Sequence, residues 1–196
     1  MSPKSSHRPA ADKYIHEWNG DASTGICRQS GGTQFCSTIP DAAVVTKLMP
    51  ILHLICGLPG SGKTTLARQL EITLPALRLA PDEWMSRIVG DGFADEKRAA
   101  VEAVQWDIAA RALSLGVNVV LENGFWTRQD RDHFRSRAAA LGTRTKVHFL
   151  DVPHAELSRR LAERNRTLPP DTFRVNQAQL DSYWKMFEPP TPDELE

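Results

Sequence analysis

Cysteine is scarce in this chain. There are three in 196 residues, Cys27, Cys36 and Cys56, too few for a disulfide framework. No further cysteine and no well-spaced histidine pair joins Cys27 and Cys36 in a zinc pattern. Cys56 ends an apolar run and reads as a small buried hydrophobe. No run of 18 apolar residues occurs, so no transmembrane helix and no membrane partner are expected. The amino terminus is polar and lacks the apolar core of a signal peptide, so a cytoplasmic location is the default expectation. Net charge is absent too: Lys plus Arg and Asp plus Glu are both 24. A neutral chain has no long-range basic field to hold nucleic acid non-specifically. Nucleic acid is therefore not the favoured partner, although local basic patches stay open.

Residues 1–47 also lack something, namely apolar periodicity. They are rich in Ser, Gly, Thr, Asp and Lys, a composition that cannot offset the entropy of ordering. They read either as a disordered tail or as an extension upstream of a start at Met49. Residues 48–196 are expected to form one domain.

From Met49 onward, short apolar runs alternate with amphipathic stretches. Ile51-Leu52-His53-Leu54-Ile55-Cys56 reads as a buried strand. A helix follows from Thr65, with Leu66 and Leu70 at i, i+4. Leu77 to Ala80 is a short strand. Val101, Val104, Ile108, Ala112 and Leu115 mark a helix over about 95–115, which Gly116 ends. Val117 to Leu121 is the third strand. Thr127 has the pattern of an N-cap, with Asp130 as its capping-box partner, and that helix stops near Gly142. Lys146 to Asp151 is the fourth strand, and His154 to Arg164 the next helix. Residues 166–174, with Pro169-Pro170, form a loop. Leu180, Tyr183, Trp184 and Phe187 give the last helix its apolar face, and the proline-rich segment from Glu188 cannot continue it. Strands alternating with helices define an α/β fold with a parallel sheet flanked by helices in three layers. Ligands in such sheets bind at the carboxyl ends of the strands.

The most informative segment follows the first strand. Gly57-Leu58-Pro59-Gly60-Ser61-Gly62-Lys63-Thr64 matches G-x-x-x-x-G-K-[ST] at every fixed position. A loop of this kind, between strand and helix, wraps backbone N–H groups around the phosphates of a nucleoside triphosphate, with the helix dipole behind them. Gly57, Leu58, Pro59, Gly60, Ser61, Gly62, Lys63, Thr64 and Thr65 are the expected ATP-binding residues. Lys63 would reach the β- and γ-phosphates, and the Thr64 hydroxyl would ligate Mg²⁺.

Each other strand end carries a polar residue. Asp82 could orient or deprotonate a substrate hydroxyl, or simply cap the next helix. Glu122 stands where P-loop proteins place the acid that holds Mg²⁺ or its water. Arg128 and Arg131 lie early in a helix, where the dipole disfavours cations. Either could meet an anion, or lie on a solvated face beside Asp130 and Asp132. Arg159, Arg160, Arg164 and Arg166 precede the proline-containing loop and could close over phosphates, or form a basic helix end that the dipole favours. His133, His148 and His154 show no ligand spacing.

With these residues in place, the stretch from Pro50 to Pro192 resembles the small P-loop kinases of the AAA_33 type. That group includes the phage polynucleotide kinase 5′-kinase domain, chloramphenicol phosphotransferase and the zeta toxins. The resemblance rests on GLPGSGKTT, on the acid in APDEWM, on VVLENGFWTRQDRD, and on RRLAERN before a short lid. It implies a P-loop NTPase fold and ATP·Mg²⁺ as phosphoryl donor. It also implies that Asp82 activates the acceptor hydroxyl and that Arg160 and Arg164 belong to the lid. Glu122 stands where many relatives carry Asp, so it could bind the metal directly or through water. The expected activity is transfer of the γ-phosphate of ATP to a hydroxyl of a small-molecule acceptor. The expected catalytic residues are Lys63, Asp82, Arg128, Arg160 and Arg164; Thr64 and Glu122 are the expected metal residues. The alternatives are a polynucleotide 5′-hydroxyl kinase, a zeta-type nucleotide-sugar kinase toxin and a non-kinase NTPase switch.

Overall fold

A computed structural model describes residues 49–195. The expectations for residues 1–47, for Cys27 and Cys36, and for the start at Met49 concern segments that begin or lie outside the described residues.

Four strands, β1 (Ile51–Cys56), β2 (Ala76–Leu79), β3 (Asn118–Gly124) and β4 (Arg144–Phe149), form a parallel sheet in the order β2-β3-β1-β4. β1 is an inner strand and, apart from His53, apolar, because both its faces are covered. On one face, Ile55 and Val120 pack against Ala67 of α1 (Lys63–Thr73). On the other, Leu52, Leu54, Cys56, Val119 and Leu121 meet Trp106, Ala109 and Leu113 of α3 (Asp95–Ser114) and Ala138 of α4 (Arg128–Ala140). This is the three-layer α/β architecture that the alternation of elements predicts.

A separate apolar cluster lies at the carboxyl end of the sheet. Leu58 inserts among Leu157 and Leu161 of α5 (His154–Thr167), Val175, and Leu180 of α6 (Gln177–Met186). Burying a leucine in this way contributes about 1.5–3 kcal/mol, so the loop after β1 is moored to the helices that follow β4.

Helix ends follow local chemistry. The capping box at Thr127 forms as its sequence predicts: Asp130 N donates to Thr127 Oγ1 at 3.1 Å, and Thr127 N to Asp130 Oδ2 at 3.3 Å. A second box, Asn176 with Gln179, starts α6. Two short helices escape the sequence pattern. Pro81 opens α2 (Pro81–Trp84), which runs into a π-helical turn over Met85–Val89. Pro192 opens α7 (Pro192–Leu195). Both use proline at a first helical position, where its missing N–H costs nothing. Each is too short for a periodic pattern to show.

Candidate active site

The loop between β1 and α1 takes its path from two glycines. Gly62, at φ +100°, is the residue from which α1 starts, and Gly60, at φ +85°, lies where a Cβ would approach Leu161 Cγ to 3.2 Å. A side chain would be strained at either place. Lys63 is half-buried, and its ammonium donates to Leu58 O at 3.1 Å. Burial lowers its pKa from the ordinary value, while the carboxylates of Asp82 and Glu122 pull it back up. Ser61 Oγ is buried without a partner.

Glu122 does not follow the third strand, as the sequence suggests, but lies within it. The pairing of β1 with β3 slips between Leu54 and Cys56: Leu54 faces Leu121, whereas Cys56 faces Gly124. This bulge at Glu122 and Asn123 re-aims side chains at the site. Glu122 accepts from the Thr64 hydroxyl through one oxygen and from Arg78 Nη1 at 3.0 Å through the other. Arg78, in β2, is the residue that sequence reasoning missed. It also reaches Glu71 at 3.2 Å and Glu83 at 2.6 Å, with its side chain only 10% exposed. An arginine within a predicted short strand was the available signal. Its guanidinium holds three carboxylates, and so fixes the one that faces Thr64.

Asp82 occupies the second position of α2. The N-cap is Ala80, which has no side chain to cap with, so the capping alternative for Asp82 is not realised. Its carboxylate accepts from Arg98 Nη2 at 2.7 Å.

The four arginines near the lid separate clearly. Arg159 and Arg160 both donate to Glu156, and Arg166 to Glu163, all at the surface. Arg164 turns inward. It donates to Phe173 O at 3.0 Å, and its Nε is buried without a partner. Burial lowers its pKa and the nearby Asp82 opposes the shift. Arg164 also repels the Lys63 charge. Lys63, Asp82, Glu122 and Arg164 therefore share one local field at the carboxyl end of the sheet, whereas Arg160 faces outward. The lid loop, residues 168–176, is docked: Arg87 Nη2 donates to Asp171 at 2.9 Å, and Phe173 lies against Gly92 and Phe93.

Arg128 and Arg131 point elsewhere. Arg128 is held on the surface by Asp193 at 2.6 Å, Thr191 at 2.9 Å and Asp132 at 3.4 Å. Arg131 corrects the expectation of a solvated helix face beside Asp130 and Asp132. It is fully buried, paired with Glu194 at 2.7 and 3.1 Å, and also donates to the carbonyls of Phe125 and Glu188.

A G-x-x-x-x-G-K-T loop on a strand–helix junction of a parallel sheet flanked by helices is a P-loop NTPase fold. The family model described as an AAA domain, AAA_33, matches residues 52–190, and this chain belongs to that family. Among curated proteins none matches. Three solved structures show the same fold. The Pnkp1/Rnl/Hen1 RNA repair complex is similar at TM-score 0.59 and 18% identity, over 70% of this chain and 44% of that one. Chaetomium thermophilum Kti12 in complex with ADP-AlF3 is similar at 0.57 and 22%, over 72% and 82%. A gluconokinase from Sinorhizobium meliloti 1021 is similar at 0.53 and 18%, over 74% and 79%. The chain spans less than half of the RNA repair chains it resembles, 39% of one and 44% of another. No helix among the described residues is long and apolar enough to cross a membrane.

Proposed function

We propose that this protein is an ATP- and Mg²⁺-dependent kinase that transfers the γ-phosphoryl group to a hydroxyl of a small molecule. The observation that carries this reading is the G-x-x-x-x-G-K-T loop at the junction of β1 and α1 with Glu122 held against Thr64, and with Asp82 and Arg164 near enough to act on the charge of Lys63.

The residues fit the absent groups. Ser61 Oγ is an orphaned buried hydroxyl in the loop, and a Cβ built on Gly62 meets open space, as expected of a cradle for phosphate oxygens. Thr64 and Glu122 form a hard-oxygen pair that suits Mg²⁺. When bound, the metal supplies charge neutralisation at the β- and γ-oxygens. Lys63 neutralises the same oxygens from the loop, and Arg164 does so from the lid side. Glu122 accepts the Thr64 hydroxyl proton and so turns the Thr64 lone pairs outward. Because Arg78 already occupies its other oxygen, Glu122 acts through Thr64 and water. Asp82 orients the acceptor hydroxyl and takes its proton, while Arg98 fixes the carboxylate. Arg160 belongs to the outer lid surface, and Arg128 fastens the carboxyl-terminal segment instead of meeting the anion.

The test is Asp82→Asn in single-turnover transfer with ATP, against hydroxylated metabolites, nucleosides and 5′-hydroxyl oligonucleotides. Transfer falls by about 10²- to 10⁴-fold, the general-base factor, with ATP affinity unchanged. Full activity in this variant retires Asp82 from the chemistry, and ATP hydrolysis unaffected by every acceptor favours the switch.

A further inference from the structure

Arg164 and Asp82 are tied together through one aromatic side chain. Arg164 Nη2 donates to the Phe173 carbonyl at 3.0 Å. The Phe173 ring lies on Gly92, where a Cβ would collide with the ring atoms Cγ, Cδ2 and Cε2. Gly92 O in turn accepts from Arg98 Nη2 at 3.1 Å, and the same nitrogen donates to Asp82 Oδ1 at 2.7 Å. A chain of contacts thus runs from the arginine on the lid side, across one ring, to the carboxylate on the acceptor side.

The ring is what holds this chain together. Gly92 lies outside the left-handed region, so the Phe173 ring, and not the backbone, excludes a side chain there. Phe93 borders the same ring as a tilted pair, with centroids 6.1 Å apart. The ion pair of Arg87 with Asp171 lies at the surface, with the Arg87 side chain 69% exposed, and such pairs contribute little. Two residues beyond Phe173, Val175 is buried with Leu58 and Leu161, and its carbonyl accepts from Asn165 Nδ2 at 2.7 Å. Leu58 belongs to the phosphate-binding loop. The segment Phe173-Arg174-Val175 is therefore pinned to the acceptor side by its first residue and to the phosphate loop by its last.

We propose that Phe173 is a positioning residue for phosphoryl transfer: seated on Gly92, it holds the Arg164 guanidinium toward the nucleotide phosphates in fixed relation to the Arg98–Asp82 pair. This inference rests on the kinase reading of the site. Arg164 keeps Nε buried and unpartnered. A guanidinium on a flexible stem adds most to binding when its direction is fixed beforehand. The Phe173 carbonyl supplies that direction, and it stays in place because the ring cannot leave Gly92 without opening a void. Loss of the ring frees Arg164 to turn. A side chain at position 92 pushes the ring, and the carbonyl with it, away from Arg164.

The experiment measures binding of AMPPNP and of ADP, each with Mg²⁺, to the full chain by calorimetry. The proteins are the wild type, Phe173→Ala, Gly92→Ala and the double variant. Each single variant binds AMPPNP about 10- to 100-fold more weakly, the size of one hydrogen bond to a charged group. Each keeps its affinity for ADP within about twofold, because ADP has no γ-phosphate for Arg164 to meet. The double variant binds AMPPNP as Phe173→Ala does, since the added methyl group no longer has a ring to strike. If Phe173→Ala does not fold, Gly92→Ala decides by the same comparison of AMPPNP with ADP. Equal losses for the two nucleotides mark a purely structural role and overturn the proposal. Wild-type AMPPNP affinity in Gly92→Ala overturns it too, as do additive losses in the double variant. A protein that obeys the cycle yet phosphorylates no acceptor leaves Phe173 in its role and fails the kinase reading. Transfer to an acceptor with no AMPPNP loss in either single variant does the reverse.

Discussion

Two arginines near the carboxyl edge of the sheet are treated very differently. Arg131 and Arg164 both sit on helices rich in charge, and both turn inward. Arg131 is saturated: Glu194 takes two of its nitrogens, and the carbonyls of Phe125 and Glu188 take the third. Arg164 donates once, to Phe173 O, and keeps Nε buried and unpaired. A charge that is buried and fully bonded is a structural clasp. A charge that is buried and half-bonded waits for a partner. The same contrast holds around each. The clasp gathers Thr191, Asp193 and Glu194 onto α4 with every polar group answered. In the phosphate loop, Ser61 Oγ is buried and unanswered, as Arg164 Nε is.

Breaking the clasp has the largest expected effect. Arg131→Ala strands the Glu194 carboxylate, which bonding to Arg131 holds down to a pKa of about 2. The cost is about 3–5 kcal/mol, read as a lowered denaturation midpoint. The double change Arg131→Met with Glu194→Leu recovers most of that loss, because no uncompensated charge remains. An Arg131→Ala protein as stable as the wild type erases the contrast.

In the phosphate loop, Lys63→Ala leaves stability intact, since burial already disfavours its ammonium. It lowers phosphoryl transfer by about 10³-fold. Wild-type turnover in this variant sinks the reading of the site. Arg164→Ala is a milder form of the same loss. Transfer falls by about 10²-fold and the melting temperature moves little, the opposite of Arg131→Ala. Arg160→Ala, at the lid surface, serves as the control with near-normal rates.

The smallest effect belongs to neither arginine. His53 is 3% exposed, and its Nδ1 lies 2.9 Å from His148 Nε2. Burial, with His148 and Lys146 nearby, pushes its pKa down to about 4, and burial lowers that of His148 too. Unfolding therefore takes up protons below about pH 6.5, the ordinary histidine value. The stabilising contribution is present above that pH and is lost as the pH falls toward 4. Between pH 6.5 and 4.5 His53 alone lowers stability by about 2 kcal/mol, and His53→Leu flattens that slope. An unchanged slope in the variant shows that other groups set the acid limit.

How much of this was legible beforehand varies by element. The loop from Gly57 to Thr64, the strand before it and the capping box at Thr127 were readable because each is local: a few neighbouring residues dictate the conformation. The inward arginines were not. Helical periodicity placed Arg131 beside Asp130 and Asp132, but the acid that claims it is Glu194, on a short helix 63 residues later in the chain. Arg78 was hidden for the same reason, since its three carboxylates come from α1, α2 and β3. Glu122 was expected after its strand because the bulge that holds it depends on pairing with β1.

The sequence by itself determined a parallel α/β sheet with a phosphate-binding loop on its first strand–helix junction, because hydrophobic period and glycine spacing are properties of adjacent residues. Tertiary structure alone decided which charges are answered and which are left open. Arg164 differs from its neighbour Arg160 only in what the fold brings, or fails to bring, within hydrogen-bonding distance.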